Sequence, residues 1–148
     1  MAISGSSTAE IDAPIEEVWK VVEDVVGAPK WQNGLKDVEE LERDGSGHVT
    51  LVESSSDAKV RTIKSIVRFH YDGPTRLSWE QEKGETKWLT GSWTFEELAE
   101  GRTRATYGLR TDPGRVLGLL LRGPVEGKVK ELLTKSAAEG LKQHVESA

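Results

Sequence analysis

The 148-residue chain contains no cysteine, which excludes disulfide scaffolds, thiolate metal sites and cysteine nucleophiles, and leaves nothing that needs an oxidising compartment. No apolar run approaches the roughly twenty residues of a membrane span. The opening Met1-Ala-Ile-Ser-Gly-Ser-Ser has neither the basic start nor the apolar stretch of an export signal. A cytoplasmic protein without stable membrane insertion is therefore expected. Basic residues are in deficit, 20 Lys and Arg against 25 Asp and Glu, for a net charge of −5. That balance opposes a phosphate backbone, so no nucleic-acid partner is expected. Histidine is scarce as well. His48, His70 and His144 are widely separated with no His-Glu-x-x-His or His-x-His pairing, so no metal is expected and all three read as surface residues. Nucleotide motifs are missing too. The stretch from Gly123 to Val129 has one residue too few between its glycines for a P-loop, and a valine where a magnesium-binding hydroxyl belongs. Gly45-Ser-Gly47 has no third glycine opening a helix, and no Gly-x-Ser-x-Gly elbow occurs. No cofactor is expected.

What is present suits one globular domain over residues 1–148, since a chain of this length can bury roughly two-thirds of its unfolded surface. A short strand is predicted over Ser6–Ile11. A helix follows from Pro14, with Asp12 placed to accept from its free amides and Glu16 and Glu17 in the first turn, where the dipole favours anions. Ile15, Val18, Trp19, Val22 and Val25 or Val26 recur at helical spacing, and Gly27-Ala-Pro29 stops the run. Trp31 then falls in or beside a loop.

After Gly34 the period changes to two. Strands are predicted at 35–42, 48–55, 59–72, 75–83, 86–98 and 102–111, joined by short glycine-containing turns that imply antiparallel neighbours and positive φ angles at those glycines. One parity collects the large apolar residues: Ile63, Val67, Phe69 and Tyr71; Leu77 and Trp79; Leu89, Trp93 and Phe95; Ala105, Tyr107 and Leu109. The other carries Lys64, Arg68, His70, Glu80, Glu82, Glu96, Arg104 and Arg110, and reads as a solvated face with cross-strand charge pairs. Trp88 lies on that polar parity as a surface partner. Beyond Asp112-Pro113-Gly114, the leucine-dense run Val116–Leu121 ends at Arg122-Gly123-Pro124. Val125, Val129, Leu132, Leu133, Ala137, Leu141 and Val145 then keep the three-and-four spacing of one long amphipathic helix.

This order of elements is α+β: a strand, one or two short helices, more strands, then a long C-terminal helix. A curved antiparallel sheet of about seven strands wrapped around that helix would leave a cavity between them. The chain resembles the polyketide cyclase/dehydrase and lipid-transport superfamily, with the helix-grip fold of START domains and birch-pollen-allergen-like proteins. The resemblance rests on Ile11-Asp-Ala-Pro14, Glu17-Val-Trp19, Asp24, Pro29-Lys-Trp31, Arg76-Leu-Ser-Trp79, Gly91-Ser-Trp93-Thr-Phe95-Glu96, Gly101-Arg-Thr-Arg104-Ala-Thr-Tyr107 and the terminal amphipathic helix. It implies a small hydrophobic guest, such as a lipid, an isoprenoid or an aromatic polyketide-like molecule. The expected lining is Trp31, Val67, Phe69, Trp79, Leu89, Trp93 and Tyr107, with Leu120, Val129 and Leu133 from the C-terminal segments.

Two other readings stay open. A cyclase- or dehydratase-like enzyme would use the same cavity, with Tyr107 as its acid–base candidate; the plain alternative is a core tyrosine bonded to a backbone carbonyl, and Tyr71 shares that ambiguity. An interaction module would instead dock or dimerise through the leucine-rich segment 116–121, whose Leu117–Leu121 also read as a lid or as the end of the core. Trp31 reads equally as a pocket guard or a loop anchor.

Overall fold

The computed structural model describes residues 3–32, 35–57, 62–99, 101–114 and 136–147. Strand β1 (Ile3–Ile11) leads into helix α1 (Ile15–Glu23), a 3-10 helix (Val25–Lys30) and six further strands: β2 (Leu35–Arg43), β3 (Val49–Asp57), β4 (Thr62–Asp72), β5 (Arg76–Gly84), β6 (Trp88–Leu98) and β7 (Arg102–Asp112). Helix α2 (Ser136–Glu146) follows. The predicted start of the long C-terminal helix, with Leu117–Leu121, Val129 and Leu133, lies outside the described residues. The seven strands form one antiparallel sheet in the order β1-β7-β6-β5-β4-β3-β2. Each hairpin therefore pairs with the next, and β1 closes onto the last strand, which returns the two chain ends to the same side.

The alternation written into the strands becomes the two sheet faces. On β7, Thr103, Ala105, Tyr107, Leu109 and Thr111 are buried while Arg102 and Arg110 are exposed. The outer face carries the expected cross-strand pairs: Arg68 Nε to Glu82 at 2.7 Å, Arg104 to Glu96 at 2.8 Å and His70 to Glu80 at 2.6 Å. Arg68 also reaches Glu42 on β2 at 3.3 Å. Trp88 lies on this face under the Arg110 guanidinium, 5.9 Å from its ring centroid, as a partner one step diagonal in the ladder.

Several local expectations change. Strand β1 begins at Ile3 rather than Ser6, because its full length pairs with β7 from Thr111 to Thr103. Pro14 is the N-cap of α1, and no side chain caps that end. Asp12 instead donates its amide to Glu146 of α2 at 2.8 Å. Helix α1 stops at Glu23, so Val25 is buried from the 3-10 helix and Val26 is exposed. Gly27 and Pro29 lie inside that 3-10 helix, whose start is secured by the Asp24 carboxylate accepting from the Gly27 amide. Among the described residues, positive φ in the hairpin turns is confined to Gly47 and Gly101. Gly73 is needed for another reason: a Cβ there would overlap the indole of Trp19.

Helix α2 buries Ala137, Ala138, Leu141 and Val145 and lies mainly against β1. Three hydrogen bonds fix it there: Ser7 Oγ accepts from the Ala138 amide at 3.2 Å, the Glu10 carbonyl accepts from Lys142 at 2.9 Å, and Glu146 takes the Asp12 amide. At Gly140 the missing side chain lets the helix meet the carbonyl of Trp31, where a Cβ would collide.

Candidate ligand cavity

Short connections keep β4 to β7 paired, with one register shift in β4–β5 between Ile66 and Val67 and regular pairing beyond it, so their inward residues stack into one wall. Phe69 faces Trp79 across the β4–β5 pair, and Trp93 faces Tyr107 across β6–β7. The rings touch in sequence: Phe69 to Trp79 at 5.8 Å, Trp79 to Tyr107 at 5.7 Å, Tyr107 to Trp93 at 4.9 Å and Trp93 to Trp31 at 5.9 Å between centroids. Gly91 makes room for this array, because a Cβ on it would overlap the Trp79 indole. The 3-10 helix and the turn after it carry Val25, Ala28, Trp31 and Gln32 over the wall.

Between them is a cavity with about 140 Å³ in which the centres of water-sized atoms can sit. One water needs only about 10–15 Å³ by the same measure. The space is thus larger than a single bridging solvent molecule needs. Trp31, Val67, Phe69, Trp79, Leu89, Trp93 and Tyr107 all border it, together with Val22, Val38, Val52, Leu77 and Leu109. Leu120, Val129 and Leu133 lie outside the described residues. Trp31 is buried, at 8% exposure, and supports the wall through Trp93.

The polar lining was not legible in strand parity alone, and it falls into two groups. At one end, Ser65 Oγ and Thr86 Oγ1 both donate to Gln81 Oε1, and Gln81 returns its amide to the Thr86 carbonyl at 2.8 Å. Ser54 adds a bond to the Ser65 carbonyl at 3.4 Å. This cluster is internally satisfied. Elsewhere in the lining, Gln32 Nε2 donates to the Tyr107 hydroxyl at 3.5 Å, at the long limit of a hydrogen bond. Among the described residues the Tyr107 partner is this side chain and not the backbone carbonyl that a core tyrosine would be expected to use. Burial pushes the Tyr107 hydroxyl well above its ordinary pKa of 10, with the Gln32 bond pulling weakly the other way.

Tyr71 differs. Its hydroxyl donates to the Val49 carbonyl at 2.6 Å, and its ring stacks on His48 at 4.2 Å. Burial is again the first cause of its raised pKa, followed by the charges of Asp44 and Glu23. His48 is not the surface residue that its isolation in the sequence suggests. It is half-buried, with Nε2 2.8 Å from Glu23 of α1, and so joins the β2–β3 hairpin to that helix. Among the described residues no three His, Cys, Asp or Glu side chains gather as metal ligands. No helix there is long and apolar enough to cross a membrane.

A curved seven-stranded antiparallel sheet, short helices after the first strand, a C-terminal helix and an apolar cavity define a START-like helix-grip protein. Residues 2–146 match the family described as Polyketide cyclase / dehydrase and lipid transport, and the chain belongs to that family. Solved structures with this fold include a protein from Thermus thermophilus, with 20% identity, 98% of each chain covered and a TM-score of 0.82. A START superfamily protein from Mycobacterium smegmatis has 19% identity, 97% of each chain covered and a TM-score of 0.78. The Zhui aromatase/cyclase from a Streptomyces species has 19% identity, with 99% of this chain and 94% of that one covered, at a TM-score of 0.73. No curated protein matches the chain in sequence.

Proposed function

We propose that this protein binds and carries a small hydrophobic molecule in the cavity beneath its sheet. The observation that carries the reading is the cavity itself: a continuous aromatic and aliphatic lining around space too large for a single water, with few polar groups, most of them already hydrogen-bonded to one another. Transfer of apolar surface from water into such a site is favourable by about 25 cal/mol per Å².

Catalysis by the same cavity is the weaker reading, for a physical reason. A general acid–base group works best with a pKa near the operating pH. Tyr107 is displaced in the opposite direction by its burial, so it serves as a hydroxyl that stays protonated. The interaction-module reading rests on Leu117–Leu121, outside the described residues.

The test is a panel of apolar molecules of increasing size, followed by thermal unfolding and native mass spectrometry. A guest at about one hundred times its Kd stabilises the folded state by about 2.7 kcal/mol, which for a chain of this size raises Tm by roughly 5–10 °C. A one-to-one adduct with that shift is expected. A panel in which nothing binds and nothing shifts would overturn the proposal.

A further inference from the structure

The polar groups of the cavity wall differ in whether they are engaged. In the Ser65, Gln81 and Thr86 cluster each hydroxyl already donates to Gln81. Thr111, on β7, donates to the Trp88 carbonyl at 2.8 Å. Ser56, at the far end of β3, is only half-buried. Tyr107 stands apart. It is 3% exposed and borders the cavity, and its hydroxyl accepts weakly from Gln32 while its own proton meets no acceptor among the described residues. A buried donor left without an acceptor costs about as much as a lost hydrogen bond, and an oxygen supplied by a guest would remove that cost.

The Gln32 amide, 3.5 Å from the Tyr107 hydroxyl, presents a second N–H at the same place. Two donors side by side match the two lone pairs of a carbonyl oxygen. Charge decides which carbonyl compounds qualify. No lysine, arginine or histidine is among the described residues that line the cavity. Among the described lining residues a buried carboxylate would meet no counter-ion, at a cost far above the gain from two neutral donors.

We infer that Tyr107 and Gln32 form a selectivity site that anchors a neutral carbonyl oxygen of an otherwise apolar guest, and that the cavity discriminates against the corresponding carboxylate. This rests on the ligand-carrying reading and adds the chemical class of the guest.

Three probes of nearly equal shape test it: 2-acetylnaphthalene, 2-ethylnaphthalene and 2-naphthoate, titrated by quenching of tryptophan fluorescence. The ketone is expected to bind about fivefold more tightly than the hydrocarbon, the factor that one ordinary hydrogen bond supplies, and naphthoate is expected to bind weakest. In Tyr107→Phe the ketone and the hydrocarbon should become equal while hydrocarbon affinity is kept. That retained affinity shows the cavity is intact. Gln32→Leu should narrow the same gap. Tyr71→Phe, which removes a hydroxyl bonded to the Val49 carbonyl outside the cavity lining, is the comparison variant and should leave the preference unchanged.

Equal binding of ketone and hydrocarbon to the unaltered protein, or a preference that survives Tyr107→Phe or disappears in Tyr71→Phe, overturns the inference and leaves the carrier reading standing. Tightest binding of naphthoate overturns the charge argument. If neither neutral probe binds and the wider panel of apolar molecules also fails, the carrier reading falls and this inference with it. If only other members of that panel bind, the inference falls alone.

Discussion

The two inward-facing tyrosines mark two ends of one sheet face that are built on the same plan and finished differently. Around Tyr71, helix α1 presses directly on the sheet. Trp19 meets Tyr71 and Phe95 edge-on at 6.4 and 6.2 Å, its indole N–H donates to Glu23, and His48 stacks on the tyrosine from the other side. Around Tyr107 the described residues overhead are those of the 3-10 helix and the Trp31 turn, which border the cavity. Aromatic residues stand at both ends. What differs is the distance of the element packed above them, and hence whether a ring fills space or borders it.

The sharpest way to break this comparison is to apply the same steric insult at each end. Gly73 and Gly91 each lie against an indole, of Trp19 and Trp79 respectively, where a Cβ would overlap. Gly73→Ala is expected to destabilise by about 2–3 kcal/mol, because Trp19 is held between Tyr71 and Phe95. Gly91→Ala is expected to cost about 1 kcal/mol, because Trp79 can move into the cavity, and it should weaken guest binding as that space is filled. Urea unfolding of the two variants reads the difference. Equal costs would mean that the two ends are equally packed.

A smaller effect separates the tyrosine hydroxyls. Tyr71→Phe removes a donor from the Val49 carbonyl and should cost about 1–2 kcal/mol, whereas Tyr107→Phe should change stability by less than about 0.5 kcal/mol. Chemical denaturation checks both, and the reverse order would refute the assignment of the cavity end as the loosely bonded one.

The smallest effect is in acid. Asp44 organises the β2–β3 turn beside the packed end by accepting from Ser46 Oγ at 2.7 Å and from the Ser46 and His48 amides. The Ser46 hydroxyl is the first cause holding its carboxyl below the ordinary 3.8. A folded-state pKa below the unfolded one means stability that is fully present above the unfolded value and is lost as pH falls through the folded value. The Tm gap between the natural protein and Asp44→Ala should therefore be largest near neutral pH and should close as the pH falls below the ordinary carboxylate range. A gap independent of pH would show that the carboxylate charge is irrelevant to that turn.

Much of the sheet was readable beforehand because period-two patterning with turn residues between the segments has one stable outcome when one face must be buried. Strands β4 to β7 start within two or three residues of the predicted positions for that reason. The 3-10 helix was hidden because Gly27 and Pro29 are stop signals for an α-helix, and a 3-10 turn secured by Asp24 tolerates both. Gln32 was hidden because nothing local marks a lone glutamine. Its significance arises only opposite Tyr107, 75 positions along the chain. The half-buried state of His48 was missed likewise, since Glu23 and Tyr71 come to it from two other elements.

By itself, the sequence determined which face of each strand is apolar and that a helix follows both the first strand and the last, because backbone periodicity and turn chemistry act over a few residues. Only the tertiary structure decided which aromatic side chains pack closed and which border open space. That choice depends on which elements pack over each part of the sheet, through glycines and ring contacts between residues far apart in the chain.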